Sequence, residues 1–331
     1  MILLLSNDGD LSCDIVQNWL STFSYPHIRL NAFDLLKSKI DITLLQSGEY
    51  QIIIDGKVFP LQDINAVWYR KFGFFRCSDS YRKLIEKNKL DDIALSFIVK
   101  EFSIIIDTIC DALRYKNWLT NPNNLIINKI KILKAAQECD FLIPKTYITN
   151  HPDHLKDFCE DLISKSIYDP TIASWGKENR CMMYTTKISK KDINNLPTLF
   201  LPSMVQHLVN KKLEIRTFFL DGECYSMAIF SQNDQTTKYD FRCYNWEKPN
   251  RCVPYKLDTQ TENKIIHLMN KIGLNCGSLD FIMDMNGCLY FLEVNPTGQF
   301  GMVDFPCNYK LHKKVAEKLI QMDQTYEETT I

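Results

Sequence analysis

The chain opens on an apolar run, ILLL, passes through a polar SNDGD loop into DIVQNWLSTF, whose apolar residues recur at helical spacing, and continues into HIRLN. This order predicts strand, helix and strand of a small α/β domain. QIIIDGKVFPL reads as a hairpin turning at Asp55-Gly56, a pair that accepts the left-handed backbone of a tight turn. AVWYRKFGFF follows as a buried strand ending in a polar-aromatic cluster. From about Ser80 to Asn117 the pattern is helical, with apolar positions three and four apart through KLIEKNKLDDIALSFIVKEFSIIIDTICDAL. LTNPNN, with Pro122 between asparagines, breaks that helix and closes a first domain.

NKIKILKAAQECDFLIPKTYITN predicts a helix running into a strand with Pro144 at the joint, and DFCEDLISKSIYD a helix entering a strand at Ile163. IASWGKENR is expected as a loop and CMMYTTKI as a strand. Strands and two hairpins dominate from Met204 to Val294, and a final helix spans roughly Tyr309 to Met322 before the polar QTYEETTI. No internal repeat and no other low-complexity tract is present.

Composition narrows the class. With 331 residues, 45% hydrophobic and 24% charged, the chain buries a large core and is long enough for two or three domains. Its 39 basic and 40 acidic residues leave a net charge of −1, so no global field favours nucleic acid or an anionic membrane. No window approaches the ~20 apolar residues that span a bilayer, and MILLLSNDGD lacks the basic start of a signal peptide. A cytoplasmic protein is expected. The 12 cysteines are scattered from Cys13 to Cys307 without a CxxC pair, as reduced thiols used as small hydrophobes would be.

The segment richest in chemistry is SLDFIMDMNGCLYFLEVNP, two apolar strands joined by Asn286-Gly287, a preferred type I′ turn. With Met285 opposite Cys288, the register runs back to place Asp280 opposite Glu293. Opposed side chains have Cβ atoms about 4.5–5.5 Å apart, where like charges repel. Asn295, two residues past Glu293, shares their face. Two carboxylates and an amide oxygen suit Mg²⁺ completed by substrate phosphates. A solvated acidic hairpin is the alternative, set against the flanking Phe281, Ile282, Phe291 and Leu292, which point to a buried sheet where an uncompensated pair is costly.

Phosphates need cations. Lys129 begins the NKIKILKAA helix, and Lys165 lies in ISKSI between Ser164 and Ser166. Lysines in such places are usually solvated, and geometry alone does not single these two out. IASWGKENR could offer backbone N–H groups to phosphate but matches no phosphate-loop motif. In SMVQHLVNKKLEIRTFFLDGECYSMAIFSQ, Asp221-Gly222 turns a second hairpin, and Glu214 and Arg216 share one strand face. Arg242 sits in the aromatic KYDFRCYN. These arginines read equally as ion-pair partners or as clamps on a phosphate or carboxylate.

The order of NKIKILKAA, ISKSI, VQHLV, LEIR, SLDFI and FLEVNPTGQFG resembles the ATP-grasp ligases over nearly the whole chain. Within them, WYRK, EIR, AIFSQ, DFR and GQFG look closest to the peptide-macrocyclising ligases of graspetide (microviridin-type) biosynthesis, especially the grasp-with-spasm peptide maturases of Bacteroidetes. The fold implied mixes α/β and α+β parts: an N-terminal α/β domain (1–120), a central lid domain (121–203) and a C-terminal α+β domain (204–331) carrying the metal ligands, with ATP between the last two. The resemblance makes Lys129 and Lys165 the nucleotide-phosphate lysines. It makes Gln206, His207, Leu208 and Val209 a hinge strand that receives adenine through its backbone, and Glu214 a ribose contact. Asp280, Glu293 and Asn295 become ligands of Mg²⁺, or of Mn²⁺ in its place, and Arg216 and Arg242 become the catalytic arginines on the acceptor carboxylate and the transferring phosphate. The chain departs from the family in a glycine-poor lid loop and in His207, where an acidic residue is frequent.

The resemblance further implies that a side-chain carboxylate of a precursor peptide, with a leader and a Thr/Glu-rich core, is activated as an acyl phosphate. A Ser or Thr hydroxyl or a Lys amine of the same peptide then captures it as an ester or amide, releasing ADP and phosphate. A homodimer is expected. The alternatives are a ligase that joins free amino acids or adds glutamate to a protein tail, and an inactive nucleotide-binding scaffold.

Overall fold

The computed structural model describes residues 1–73, 90–125, 127–156, 161–168, 172–175, 179–182, 185–232 and 247–327, with single residues 83, 87, 158, 234, 237, 238, 240, 241 and 245 between them. Two compact units emerge, one of Met1–Leu125, Gln299–Asp304 and Lys310–Ile331, the other of Ile126–Gly298 and Phe305–Tyr309.

In the first unit, β1 (Ile2–Ser6), α1 (Leu11–Thr22) and β2 (His27–Asn31) lead into a small antiparallel sheet of β3 (Ile40–Leu44), β4 (Tyr50–Ile54) and β5 (Lys57–Val58). β6 (Ala66–Tyr69), α2 (Asp92–Ala112) and β7 (Asn117–Leu119) follow. A parallel sheet in the order β2-β1-β6-β7 is the backbone of the unit. Every residue of β1 is buried, as a parallel strand covered on both faces requires. Asp10 starts α1 by accepting the N–H groups of Ser12 and Cys13. Ile54 pairs with Lys57 across Asp55 and Gly56, both at positive φ, so the two-residue turn forms where the sequence placed it.

Two strands escape the sequence pattern. β3 is half exposed, and β7, three residues long, follows a helix that was expected to reach Asn117. The helical pattern before residue 90 lies outside the described residues apart from positions 83 and 87. Arg70, at the end of β6, is 3% exposed; its Nε lies 3.2 Å from Asp10 Oδ2, and its guanidinium stacks near Trp68 and Phe300.

The second unit begins at α3 (Lys129–Glu138), capped by the Asn128 side chain on the N–H groups of Ile130 and Lys131. β8 (Thr146–Thr149), α4 (Asp153–Lys156), β9 (Leu162–Lys165), β10 (Ile172–Trp175), β11 (Asn179–Met182), β12 (Thr186–Ile188), α5 (Lys190–Asn194) and β13 (Ser203–His207) follow. Four of these strands form an antiparallel sheet, β12-β9-β13-β8. The loop expected at IASWGKENR is instead partly strand: β10 pairs antiparallel with β11, with 176–178 outside the described residues. A one-glycine sequence hides this because the β-branched and aromatic ends of IASW suit a strand as well as a loop.

A five-stranded antiparallel sheet, in the order β16-β15-β14-β17-β18, completes the unit. It consists of β14 (Lys211–Leu220), β15 (Glu223–Phe230), β16 (Arg251–Tyr255), β17 (Cys276–Asp284) and β18 (Leu289–Asn295), with α6 (Thr259–Lys271) between β16 and β17. Ile215, Leu279, Phe281, Phe291 and Val294 pack against Ile132, Leu133 and Ala136 of α3 and Ile265, Leu268 and Met269 of α6. The period of two along each strand therefore turns Glu214, Arg216 and Asp280 to the opposite face.

The chain ends with α7 (Gly301–Cys307) and α8 (Leu311–Gln324). α8, placed by sequence within 204–331, here packs in the first unit, where the Asp304 carboxylate accepts the N–H groups of Leu311 and His312 and the His312 ring. The eight cysteines whose side chains are described are free thiols. Burial pushes Cys13 up to about 11 and Cys110 and Cys224 up to about 12, which leaves them protonated and inert near neutrality. Among the described residues no helix is long and apolar enough to cross a membrane.

Candidate active site

The face of the five-stranded sheet opposite the two helices carries a row of charges set by pairing. Arg216 in β14 lies opposite Asp280 in β17, and Asp280 lies opposite Glu293 in β18. Arg216 Nη1 is 2.9 Å from both Oδ1 and Oδ2 of Asp280, and both residues are buried. At the other end Lys129 Nζ lies 3.7 Å from Glu293 Oε2 and donates to the Ser166 carbonyl at 3.2 Å. The row thus reads positive, negative, negative, positive. The repulsion that sequence predicts between the two carboxylates is answered by a cation on each side.

The Asp280–Glu293 pairing has a different origin from the one the turn suggested. Only Gly287 is at positive φ, so Asn286-Gly287 is not a type I′ turn, which needs φ > 0 at both residues. Asp284 N–H donates to the Cys288 carbonyl, and the Asp284 carboxylate accepts the N–H groups of Asn286 and Cys288, closing a loop one residue longer. That register alone would place Leu292 opposite Asp280 and turn Glu293 into the core. A bulge at Leu292 removes the offset: Phe281 pairs with Phe291, yet Asp280 pairs with Glu293. Leu292 and Glu293 then face the same cleft while Phe291 stays buried. Asn295 lies opposite Ser278, two positions along the same face.

A second bulge acts on β14. The register shifts between Lys211 and Leu213, so Lys211 and Glu214, three apart, share a face instead of opposing ones. Lys211 Nζ is 2.5 Å from Glu214 Oε1, which also accepts from Ser231 Oγ at 2.7 Å. Both Lys211 and Glu214 line the cleft, together with Lys165, Asp280 and Glu293.

Lys238, Asp240 and Phe241 line it too, and Asp240 accepts the Thr185 N–H at 3.1 Å. Sequence reasoning passed over these residues and Lys211. KYDFR carried the signal for Asp240, in the segment where only Arg242 was singled out; Arg242 itself lies outside the described residues. At the proposed hinge, Gln206 is held in the ladder between β8 and β9 and turns its side chain to Thr146, away from the cleft. Leu208 N–H donates to the Asp161 carbonyl, so the ladder ends there, and His207, Leu208 and Val209 line the cleft.

The donors present fit a divalent cation. Asp280, Glu293 and Asn295 offer two carboxylates and one amide oxygen on adjoining positions of one face, too few for an all-protein cage and suited to a Mg²⁺ that takes its remaining oxygens from phosphate and water. Lys129 stands at the first position of α3, where a cation opposes the helix dipole, and no acidic residue accompanies it in that turn. There its side chain is held by the Glu293 carboxylate and the Ser166 carbonyl.

No protein-family profile and no curated protein sequence matches the chain. Solved structures match over nearly all of it. A RiPP-associated ATP-grasp ligase from Chryseobacterium gregarium, in complex with ADP and a leader and core peptide, superposes with a TM-score of 0.84 at 24% identity, covering 97% of this chain and 96% of that one. The macrocyclase MdnC from Microcystis aeruginosa MRC, bound with precursor peptide MdnA, gives 0.80 at 22% identity, covering 97% and 99%. The ATP-grasp ligase PsnB, complexed with a phosphomimetic minimal precursor, Mg and ADP, gives 0.76 at 16%, covering 97% and 98%. The chain has the ATP-grasp fold, with a parallel N-terminal sheet followed by antiparallel sheets.

Proposed function

We propose that this chain is an ATP-dependent peptide ligase of the graspetide type, nearest the grasp-with-spasm maturases, acting in the cytoplasm on a ribosomally made precursor. It activates an Asp or Glu side chain of that peptide and joins it to a Ser or Thr hydroxyl or a Lys amine. The observation that carries this reading is the row Arg216–Asp280–Glu293–Lys129, whose two carboxylates line a cleft on the five-stranded sheet. It is supported by the likeness to ligases solved with ADP, Mg and precursor peptides.

Asp280, Glu293 and Asn295 would hold Mg²⁺, which supplies charge neutralisation at the phosphates. Lys129 and Lys165 position the phosphate oxygens, and Val209, just past the end of the ladder, meets the adenine edge through its backbone. Glu214, held by Lys211 and Ser231, receives the ribose hydroxyls. Arg216 and Arg242 hold the carboxylate to be activated against the transferring phosphate, so that orientation and fixed charge lower the barrier without a protein nucleophile. A division near residues 120 and 203, with α8 returning to the first unit, and a homodimeric state belong to the same proposal.

The test is incubation with ATP, Mg²⁺ and a small Thr- and Glu-rich precursor encoded beside this chain, followed by mass spectrometry. Loss of one water mass per bond, with one ADP released each time, is expected. ADP release driven by free glutamate but not by any peptide would favour the amino-acid ligase instead.

A further inference from the structure

Resting on that function, we propose that Arg216 is a counterion displaced by the divalent cation: it neutralises Asp280 in the metal-free protein and passes to the acceptor carboxylate once Asp280 ligates the metal.

Arg216 engages both oxygens of Asp280 through a single nitrogen, Nη1, at 2.9 Å each. Any metal that Asp280 held would have to use one or both of these oxygens. Arg216 is 6% exposed as a residue, and its Nε, also buried, has no hydrogen-bond partner among the described residues. Its fork is therefore only partly used, although a bidentate carboxylate would satisfy two nitrogens at once. The row from Arg216 to Lys129 is neutral without metal. Were Asp280 and Glu293 to hold a divalent cation, two positive charges would be added and the carboxylate that balances Arg216 would be engaged elsewhere. A buried guanidinium beside a ligated carboxylate then lacks a counter-charge and is stabilised by the next anion to enter the cleft. The carboxylate to be activated is that anion. Metal–nucleotide and acceptor binding are thus coupled, each favouring the other by the same factor.

The full-length protein labelled with ¹⁵N-arginine tests this. The Arg216 side-chain resonance, assigned by its loss in Arg216→Lys, should shift on adding Mg·ADP and stay in place with ADP in EDTA. In parallel, free Mn²⁺ measured by electron paramagnetic resonance with ADP present should show several-fold tighter metal binding in Arg216→Met, because Asp280 no longer has a competing cation. Metal-dependent ADP binding with an unmoved Arg216 resonance would overturn the inference alone, as would weaker Mn²⁺ binding in Arg216→Met, the mark of a plain phosphate clamp. No metal-dependent ADP binding in the wild type would overturn the proposed function and this inference with it.

Discussion

Replacing Asp280 with Asn removes one negative charge from the row and leaves Arg216 buried without its counterion. Taken from the opposed carboxylates alone, the change relieves repulsion worth about 0.2–1 kcal/mol and should stabilise the metal-free protein. The structure reverses that sign. The side chains of Arg216 and Asp280 are only 7% and 11% exposed, and breaking a buried pair by removing one partner costs about 3–5 kcal/mol. Asn retains one acceptor for Nη1, which puts the expected loss near the lower end of that range. Arg216→Met in the same chain removes the stranded charge, so the double variant should recover most of the loss, with a favourable coupling energy. The assay is urea unfolding in EDTA for wild type, both single variants and the double. An Asp280→Asn protein as stable as wild type, or a double variant no better than the single, would refute the reasoning. Glu293→Gln is the internal control: Lys129 is 3.7 Å away and 17% exposed, so its loss should stay within about 1 kcal/mol.

Lys129→Ala and Lys165→Ala should each weaken ADP binding about tenfold or more by calorimetry, the scale of a lost charge-assisted hydrogen bond, while thermal melting changes little. Gly298→Ala places a Cβ 2.7 Å from Ser278 Cβ and 3.1 Å from the Asn295 carbonyl oxygen, closer than packed atoms approach. It should cost about 1–3 kcal/mol in urea unfolding and weaken metal binding by displacing Asn295. Asp304 gives a pH dependence: burial raises its pKa, but the His312 ring and the Leu311 and His312 N–H groups outweigh that and hold it below its ordinary value of 3.8. A depressed folded pKa contributes stability above the unfolded value and loses it as pH falls, so the advantage of wild type over Asp304→Asn should be full above about pH 4 and shrink below it.

The long regular elements were legible because burial follows period. β1, α1, α3 and the paired strands around Asp221-Gly222 and Asn286-Gly287 all carry it in plain form. The cleft was legible in part, and for one pairing the correct answer came from two departures that cancel. The turn after Asp284 is one residue longer than Asn286-Gly287 suggested, and the bulge at Leu292 restores the offset. Bulges leave little trace in a hydrophobic pattern, since they depend on which hydrogen bonds the neighbouring strand offers. The bulge before Leu213 hid Lys211 in the same way, by bringing residues three apart onto one face. The Arg216–Asp280 pair was illegible for another reason: it joins strands 64 residues apart, and no local spacing reports such a register.

Calorimetric titration of ADP into the wild-type protein, once with Mg²⁺ and once with EDTA, tests the central claim most directly. If Asp280, Glu293 and Asn295 hold the cation that binds the nucleotide phosphates, ADP binds tightly with Mg²⁺ and at least tenfold more weakly without it, a difference of about 1.4 kcal/mol or more. Equal affinity in the two titrations would contradict the account.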